Sequence, residues 1–346
     1  MSRDKLIIVG VLVLGLLGFL VYKQSQKDAS MGQPMATAKD LPTISAPDDV
    51  DKISITNGDK GEVLLERVAD AKAAAGADGG AGSVWQMTKP MKAQANQQAI
   101  KDLVANLKEL KIDSQINLKL DDDVRKDKQL DAAHAVHVVA WKGADKKVDE
   151  MFGKSGPAGN LLVLADKPDQ VWAAKGYSAY LYTKDAKDFR DKEIFKFDDG
   201  NASQITIVNS HGTLSFTKGD KWVGTLDKKP IARLDDEKVK DMLRAYKALN
   251  ADDFGDGKSF ADVGLDKPES TVTISLKDGA GTYTLLVGKT SVGSNRWAKK
   301  ADDDTIFQIA NSSAEWATSD ESKYQSTADA GAGDAGGSKA ANGGKK

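Results

Sequence analysis

The stretch "VHVVAWKGADKKVDEMFGK", residues 136–154, decides the fold because a second version of it, "TVTISLKDGAGTYTLLVGK", follows at residues 271–289. The two versions align without a gap from 130 to 154 and from 265 to 289. This alignment places on one strand face the pairs His137 with Val272, Val139 with Ile274, and Trp141 with Leu276. Repetition over this length predicts two copies of one supersecondary unit.

The repeat continues upstream of this stretch. "ISITNGDKGEVLL" from Ile53 matches "ITIVNSHGTLSF" from Ile205, and each alternates apolar residues around a turn, which predicts two short strands in a hairpin. A tryptophan follows in each copy, Trp85 and Trp222. The insert 69–83, "ADAKAAAGADGGAGS", interrupts the first copy and is predicted to be a long hairpin loop.

A helix follows the tryptophan in both copies. The apolar residues recur at helical spacing, and Asn96 or Asp235 precedes the first turn as a cap. The matching positions are Ile100, Leu103, Val104, Leu107 and Leu110 in the first copy and Val239, Met242, Leu243, Tyr246 and Leu249 in the second. We expect each stripe to be buried against a sheet.

These elements predict an α+β protein with two tandem repeat units, each a mainly antiparallel sheet packed by one helix. We assign the first unit to residues 48–198 and the second to 199–325. The Gly/Ala/Ser-rich end, 326–346, has almost nothing to bury and is expected to be a disordered tail.

Both copies carry Gly-Lys followed by Ser or Thr, at residues 153–155 and 288–290, which resembles the end of a nucleotide-binding P-loop. That motif needs a further glycine five residues earlier, where this chain has Val148 and Tyr283. Turn-rich sequence follows instead of a helix. We therefore expect no nucleotide binding, a turn that the glycine permits, and a solvated lysine.

Composition and spacing give no catalytic, cofactor or metal site. There is no cysteine, and the net charge of -2 comes from interspersed charges, which argues against a nucleic-acid surface. His134 and His137 would point to opposite faces of a strand, and we expect the acidic clusters at 121–123 and 302–304 to be solvated loops. Residues 252–260 lack calcium-loop spacing.

The N-terminus is predicted to be a membrane anchor, assigned to residues 1–28. Residues 6–22 form an uncharged apolar run flanked by Arg and Lys, long enough to span with snorkelling side chains. A cleaved signal peptide is the rival, but its apolar core is usually shorter. Residues 29–47, with three prolines, are predicted to be a linker. The short N-terminal tail favours single-pass insertion in the inner membrane with the bulk facing the periplasm. Because flanking charges nearly match, a cytoplasmic orientation stays open.

The repeat unit resembles a bacterial family, the domain-of-unknown-function family numbered 4340. The resemblance is carried by the Gly-Leu-Asp-Lys-Pro at 264–268 before "STVTISLKDG", the "LLVGK" that follows, and "DAKDFRDKEIFKFD" at 185–198, and it covers about residues 50–320. The first copy departs from it at 130–133, Leu-Asp-Ala-Ala. The resemblance implies an N-terminal transmembrane helix and an association with ABC-type transport systems, and it implies no catalytic residues.

We therefore expect a membrane-anchored extracytoplasmic binding or scaffolding protein, an accessory of an ABC-type transport complex, with envelope proteins as partners. The alternative is an envelope hydrolase that uses paired carboxylates between the two repeat units. Converging buried acids would favour the enzyme, and a shallow apolar patch would favour the binding module.

Overall fold

The computed structural model describes residues 17–23, 33–34, 41–44, 49–69 and 82–326. The chain divides into two compact units, Met1–Asp191 and Lys192–Lys346. The sequence pattern alone places the boundary between the units at residues 198 and 199, seven residues later than in the structure. Each unit is an α+β body with an antiparallel sheet, as the repeat predicts.

The predicted anchor, linker, insert and tail lie largely outside the described residues. Of the anchor's apolar run, residues 17–22 are described, and they are helical and exposed. No helix within the described ranges combines the length and apolar character that a membrane crossing requires. In the segment assigned as linker, residues 33–34 pair with a strand and Ile44 is buried in the core of the first unit, so this part belongs to the folded body.

The first unit is built on a sheet of ten strands. They are β1 (Gln33–Pro34), β2 (Lys52–Asn57), β3 (Glu62–Ala69), β4 (Ser83–Lys89), β5 (Ala93–Gln94), β6 (Lys111–Asn117), β7 (Val136–Lys142), β8 (Asp145–Gly156), β9 (Gly159–Leu164) and β10 (Lys167–Lys175). Their order across the sheet is β1-β6-β10-β9-β8-β7-β2-β3-β4-β5. β3 and β4 pair antiparallel, as predicted for strands joined by a hairpin insert.

The second unit is built on a sheet of nine strands. They are β11 (Ala202–Asn209), β12 (Gly212–Lys218), β13 (Trp222–Leu226), β14 (Lys229–Pro230), β15 (Asp253–Phe254), β16 (Ser270–Leu276), β17 (Thr282–Thr290), β18 (Arg296–Lys300) and β19 (Phe307–Ile309). Their order is β14-β13-β12-β11-β16-β17-β18-β19-β15. Read from β5, the first sheet has the same order, so the two units share one topology apart from β1.

Among the residues described from position 49 to 326, each unit carries one long α-helix and two short ones. The long helices, α1 (Gln97–Glu109) and α4 (Asp236–Tyr246), bury the predicted stripes. Asn96 accepts from Ala99 N and Asp235 from Glu237 N, which confirms both caps. The prediction of one helix per unit missed α2 (Asp122–Asp127), α3 (Ala179–Tyr182), α5 (Phe260–Val263) and α6 (Asn311–Thr318). At four to eight residues, these helices are too short to show a repeated apolar period.

Both faces of each sheet bury apolar residues. In β9, Leu162 and Leu164 belong to the main core, whereas Leu161 and Val163 pack in a second cluster with Leu130. Alternate residues of a strand point to opposite faces, so this second cluster lies across the sheet from the main core. In the second unit, Trp297 packs with Val263 and Leu265 in the same way.

The predicted strand face in the first copy of the repeat is wrong by one residue. In the second unit Val272 and Ile274 face the core and pair with Ile207 and Ile205. In the first unit the residues that pair with the matching isoleucines, Ile55 and Ile53, are Val138 and Ala140, both fully buried. His137 is half-buried instead. A one-residue slip exchanges the two faces of a strand, and both faces of β7 are apolar enough to hide it.

Candidate functional site

The two Gly-Lys stretches lie within strands and pack against a short helix. β8 continues to Gly156 and β17 to Thr290, so neither glycine serves the turn that we predicted. A Cβ added to Gly153 would lie 2.5 Å from the backbone oxygen of Lys128, and one added to Gly288 would lie 2.3 Å from that of Val263. The glycines are therefore required for the close approach of α2 and α5 to the sheet.

The lysines of these stretches interact with the same short helices. Lys289 Nζ donates to the backbone oxygens of Ala261 (3.2 Å) and Asp262 (3.3 Å), a favourable place for a cation at a helix C-terminus. Lys154 Nζ lies 3.6 Å from Asp127 Oδ1. In both copies, the Gly-Lys stretch that resembles a nucleotide-binding motif therefore packs a short helix against the sheet.

The histidines and acidic clusters singled out in the sequence have local partners. His134 Nδ1 is 2.8 Å from Asp131 Oδ1, and His137 Nε2 is 2.8 Å from Asp149 Oδ1. Asp121 caps α2. No group of three or more potential metal ligands occurs among the described residues.

One cavity in the first unit brings together polar side chains from separate parts of the chain. It has a volume of about 540 Å³, in the range of small-molecule sites. Its lining comes from the end of β2, the C-terminus of α2, the end of β8 and the segment 177–183 that contains α3. The lining includes Asn57, Asp127, Lys128, His134, Phe152, Lys154, Ser155, Asn160, Tyr177, Ala179 and Thr183. We call this the Tyr177 cavity.

Asn106 of α1 positions the segment that carries Tyr177. Its buried side chain donates to Gly176 O (2.7 Å) and accepts from Ser178 N (3.2 Å) and from the Tyr182 hydroxyl (3.1 Å). A neutral amide that satisfies three partners fixes the turn between β10 and α3. The aromatic rings of this segment are thereby held against the sheet.

Tyr177 contributes a stacked ring to the lining of the cavity. Its ring lies 4.0 Å from that of Phe152 and is nearly parallel to it. The hydroxyl oxygen is buried and has no hydrogen-bond partner among the described residues. Burial raises the pKa of Tyr177 well above its ordinary value. A buried hydroxyl without a partner costs free energy, which the packing of the ring offsets.

The charged groups around the Tyr177 cavity are paired with one another. Lys128 and Lys154 both interact with Asp127, and His134 interacts with Asp131. The remaining polar lining consists of uncharged amides and hydroxyls, from Asn57, Asn160, Ser155 and Thr183. The cavity therefore suits an uncharged polar molecule better than an ion.

The corresponding place in the second unit is occupied by a longer helix. Asn209, the counterpart of Asn57, donates to Ala317 O and Ser319 O at 2.9 Å each, at the end of α6. In the first unit α3 is half as long, and Ala179 is exposed and lines the cavity. No motif or apolar period in the sequence points to this site. The available signal was the cluster of tyrosines at 177, 180 and 182, which the second copy lacks.

Comparison with known proteins identifies one family model, described as "Domain of unknown function (DUF4340)". It matches residues 85–260 and 256–328, most of both repeat units. The comparisons with curated proteins and with solved structures each found no match.

Proposed function

The chain belongs to the DUF4340 family, and from this membership and the Tyr177 cavity we propose that it is a membrane-anchored extracytoplasmic binding protein. Its first unit binds a small uncharged polar molecule, and it serves as an accessory of an ABC-type transport complex. It does not catalyse a reaction on that molecule. The observation that carries the proposal is a cavity of about 540 Å³ whose lining joins the ring of Tyr177 to uncharged amide and hydroxyl side chains.

Binding is favoured over catalysis by the state of the ionisable groups. A general base or nucleophile needs a free or activated group near the reacting atom. Lys128 and Lys154 both interact with Asp127, so neither amine is free. His134 is oriented by Asp131, but no hydroxyl nucleophile is hydrogen-bonded to it among the described residues. What the lining offers is hydrogen-bonding groups beside an aromatic wall, which is the composition of a recognition site.

Ligand binding can be measured by hydrogen exchange and mass spectrometry of the full chain in neutral detergent. The probes are a panel of monosaccharides, polyols and simple amides. A ligand is expected to slow exchange in residues 176–183 and to bind Tyr177→Leu about 3–10-fold more weakly, because the aromatic wall of the cavity is lost. The matched control is Tyr283→Leu in the second unit, whose ring packs on Phe197. Equal affinity of Tyr177→Leu and the wild type would sink the proposal.

The membrane location is supported by the uncharged run at residues 6–22 and its flanking basic residues. We propose a single-pass protein of the inner membrane with both units in the periplasm. Two reporters fused to the C-terminus test the orientation, one active only outside the cytoplasm and one fluorescent only inside. Activity of the outside reporter supports the proposal, and fluorescence of the inside reporter refutes it.

The transport partner is supported by the family resemblance rather than by a contact in the structure. Co-purification from mildly solubilised, crosslinked membranes tests it. We expect a transporter subunit to accompany the full chain. Repeated recovery of the chain without any transporter subunit would count against this part of the proposal while leaving the ligand measurement unaffected.

A further inference from the structure

Each unit has a pocket between its long helix and the strand that carries the tryptophan, which is β4 in the first unit and β13 in the second. In the first unit, Trp85 N on β4 donates to Gln97 Oε1 on α1 at 2.8 Å. In the second, Trp222 N on β13 donates to Asp236 Oδ1 on α4 at 2.7 Å. The duplicated position allows the two pockets to be compared residue by residue.

A basic side chain lies over the indole ring in both pockets. The Arg67 guanidinium is 5.2 Å from the Trp85 ring centroid, and Lys218 Nζ is 5.4 Å from that of Trp222. Each cation is the cross-strand neighbour of its tryptophan. Cation–π contact and strand register therefore place one positive charge at the same point of each unit.

The second pocket neutralises its helix cations. Lys240 Nζ lies 2.6 Å from Asp236 and 2.7 Å from Glu237, and the hydrogen bond with Asp236 raises the pKa of Lys240. Arg244 pairs with Asp241 and also approaches Glu237. With its helix cations paired and a volume of about 240 Å³, this pocket is smaller and carries less unpaired positive charge on its helix.

The first pocket has a lysine at the position of Lys240 but lacks the acidic residues that pair with it in the second. Lys101 matches Lys240, but Gln97 and Gln98 stand where α4 has Asp236 and Glu237. Arg67 and Lys101 form no ion pair with any residue in the described part of the chain. The acid in the lining, Asp49, is paired with Lys142, with Nζ and Oδ2 2.5 Å apart. Lys142 makes the largest contribution to lowering the pKa of Asp49, and Arg67 lowers it further from a greater distance.

We propose that this pocket of the first unit, the Trp85 pocket, binds an acidic extended segment of a partner protein. Its volume is about 680 Å³, and Val104 and Ala105 line it together with Trp85. Apolar surface for a peptide backbone thus lies beside cations for its carboxylates. The site is separate from the Tyr177 cavity and does not depend on the ligand proposed there.

The size of the pocket and the placing of its cations favour a peptide over a single small anion. Arg67 comes from β3 and Lys101 from α1, so the two cations belong to different elements of the lining. A volume of about 680 Å³ lies in the range of sites that enclose molecules of many atoms. In a polyproline II peptide, residues three apart share a face, so acidic residues at every third position present several carboxylates to these cations.

The test uses the full chain in neutral detergent and a short peptide with glutamate at every third position, measured by calorimetry. The Arg67→Gln/Lys101→Gln variant is expected to bind at least about 10-fold more weakly. The matched control, Lys218→Gln/Lys240→Gln in the second unit, should bind within about 2-fold of the wild type. Far-UV circular dichroism confirms that both variants fold.

Three further results bear on the proposal. Binding of the glutamate peptide should weaken as salt rises, and the same peptide with glutamine should not bind. Equal losses in the two variants would indicate non-specific attraction and overturn the proposal. Displacement of the peptide by inorganic phosphate at equal concentration would also overturn it, in favour of a small anion.

Discussion

Glu150 occupies a core position of β8 and provides a stability test of the repeat. It is 8% exposed and lies opposite Val138, whereas its counterpart in the second unit, Leu285, lies opposite Val272 in the core. Its Oε2 has no hydrogen-bond partner among the described residues. Burial raises the pKa of Glu150 from 4.5 to about 8, so the carboxyl is protonated in the folded unit at neutral pH.

The raised pKa predicts that the first unit loses stability as the pH rises. Between 4.5 and about 8 the unfolded chain releases the proton while the folded chain keeps it. At about 1.36 kcal/mol per pKa unit, this lowers the free energy of unfolding by roughly 3–5 kcal/mol across that window. Below pH 4.5 the Glu150 carboxyl is protonated in both the folded and the unfolded chain. It therefore no longer changes the free energy of unfolding with pH. Glu150→Gln removes the titration, so its stability should stay flat and exceed that of the wild type by roughly 3 kcal/mol at pH 7.

Hydrogen exchange of peptides from β7 and β8 measures this difference within the full chain. Protection is recorded from pH 5 to pH 8 and corrected for the intrinsic exchange rate. Glu109→Gln, at an exposed position of α1, is the control and should follow the wild type. The reasoning would be refuted if Glu150→Gln lost protection in parallel with the wild type, or if wild-type protection did not change with pH.

Three other substitutions test how the units are held together. Gly288→Ala forces a Cβ onto a backbone oxygen and should cost at least about 3 kcal/mol in thermal denaturation, whereas Gly219→Ala, whose Cβ would lie 3.6 Å from the nearest atom, should cost under about 1 kcal/mol. Lys289→Ala should cost about 0.5–1 kcal/mol through the loss of a cation at a helix C-terminus and should leave ATP binding unchanged at background in calorimetry. Asn106→Leu should cost on the order of 2–3 kcal/mol and speed hydrogen exchange in residues 176–183. Unchanged exchange in that segment would contradict the positioning role of Asn106.

The repeated elements were predictable because their signals are local. The stripe of α1 and its cap at Asn96 recur in α4 with Asp235, and the hairpin pattern from Ile53 recurs from Ile205. An apolar pattern that recurs at matching spacing marks buried positions, because exposed positions do not require apolar residues at regular intervals. Short connections account for the antiparallel pairing of consecutive strands, such as β11 with β12 and β16 with β17, but not for the pairing of β11 with β16 or of β15 with β19.

The strand faces were harder to predict because they depend on register. Val138 and Ala140 take the places of Val272 and Ile274, one residue away from the gapless alignment. The extra residue falls before β7 and is compensated in the hairpin that follows. With apolar residues on both faces, β7 carries no sequence signal that distinguishes the two alignments.

The candidate sites were hidden because their residues are distant in sequence. The Tyr177 cavity joins segments near 57, 127, 153 and 177, and it exists because α3 ends after one turn where α6 continues. In the Trp85 pocket, strand pairing places Arg67 beside Trp85. The absence of acidic residues at Gln97 and Gln98 is recognised only when α1 is compared with α4. Neither arrangement has motif spacing.

We propose that the first unit holds a small uncharged molecule in the Tyr177 cavity. Native mass spectrometry of the full chain, extracted from its own membranes in neutral detergent, tests it most directly. The wild type should carry a small-molecule adduct that is lost in Ala179→Trp, because an indole at this lining position fills the cavity. The Tyr283→Leu control should keep the adduct. An unliganded wild type, or the same adduct on Ala179→Trp, would contradict the account.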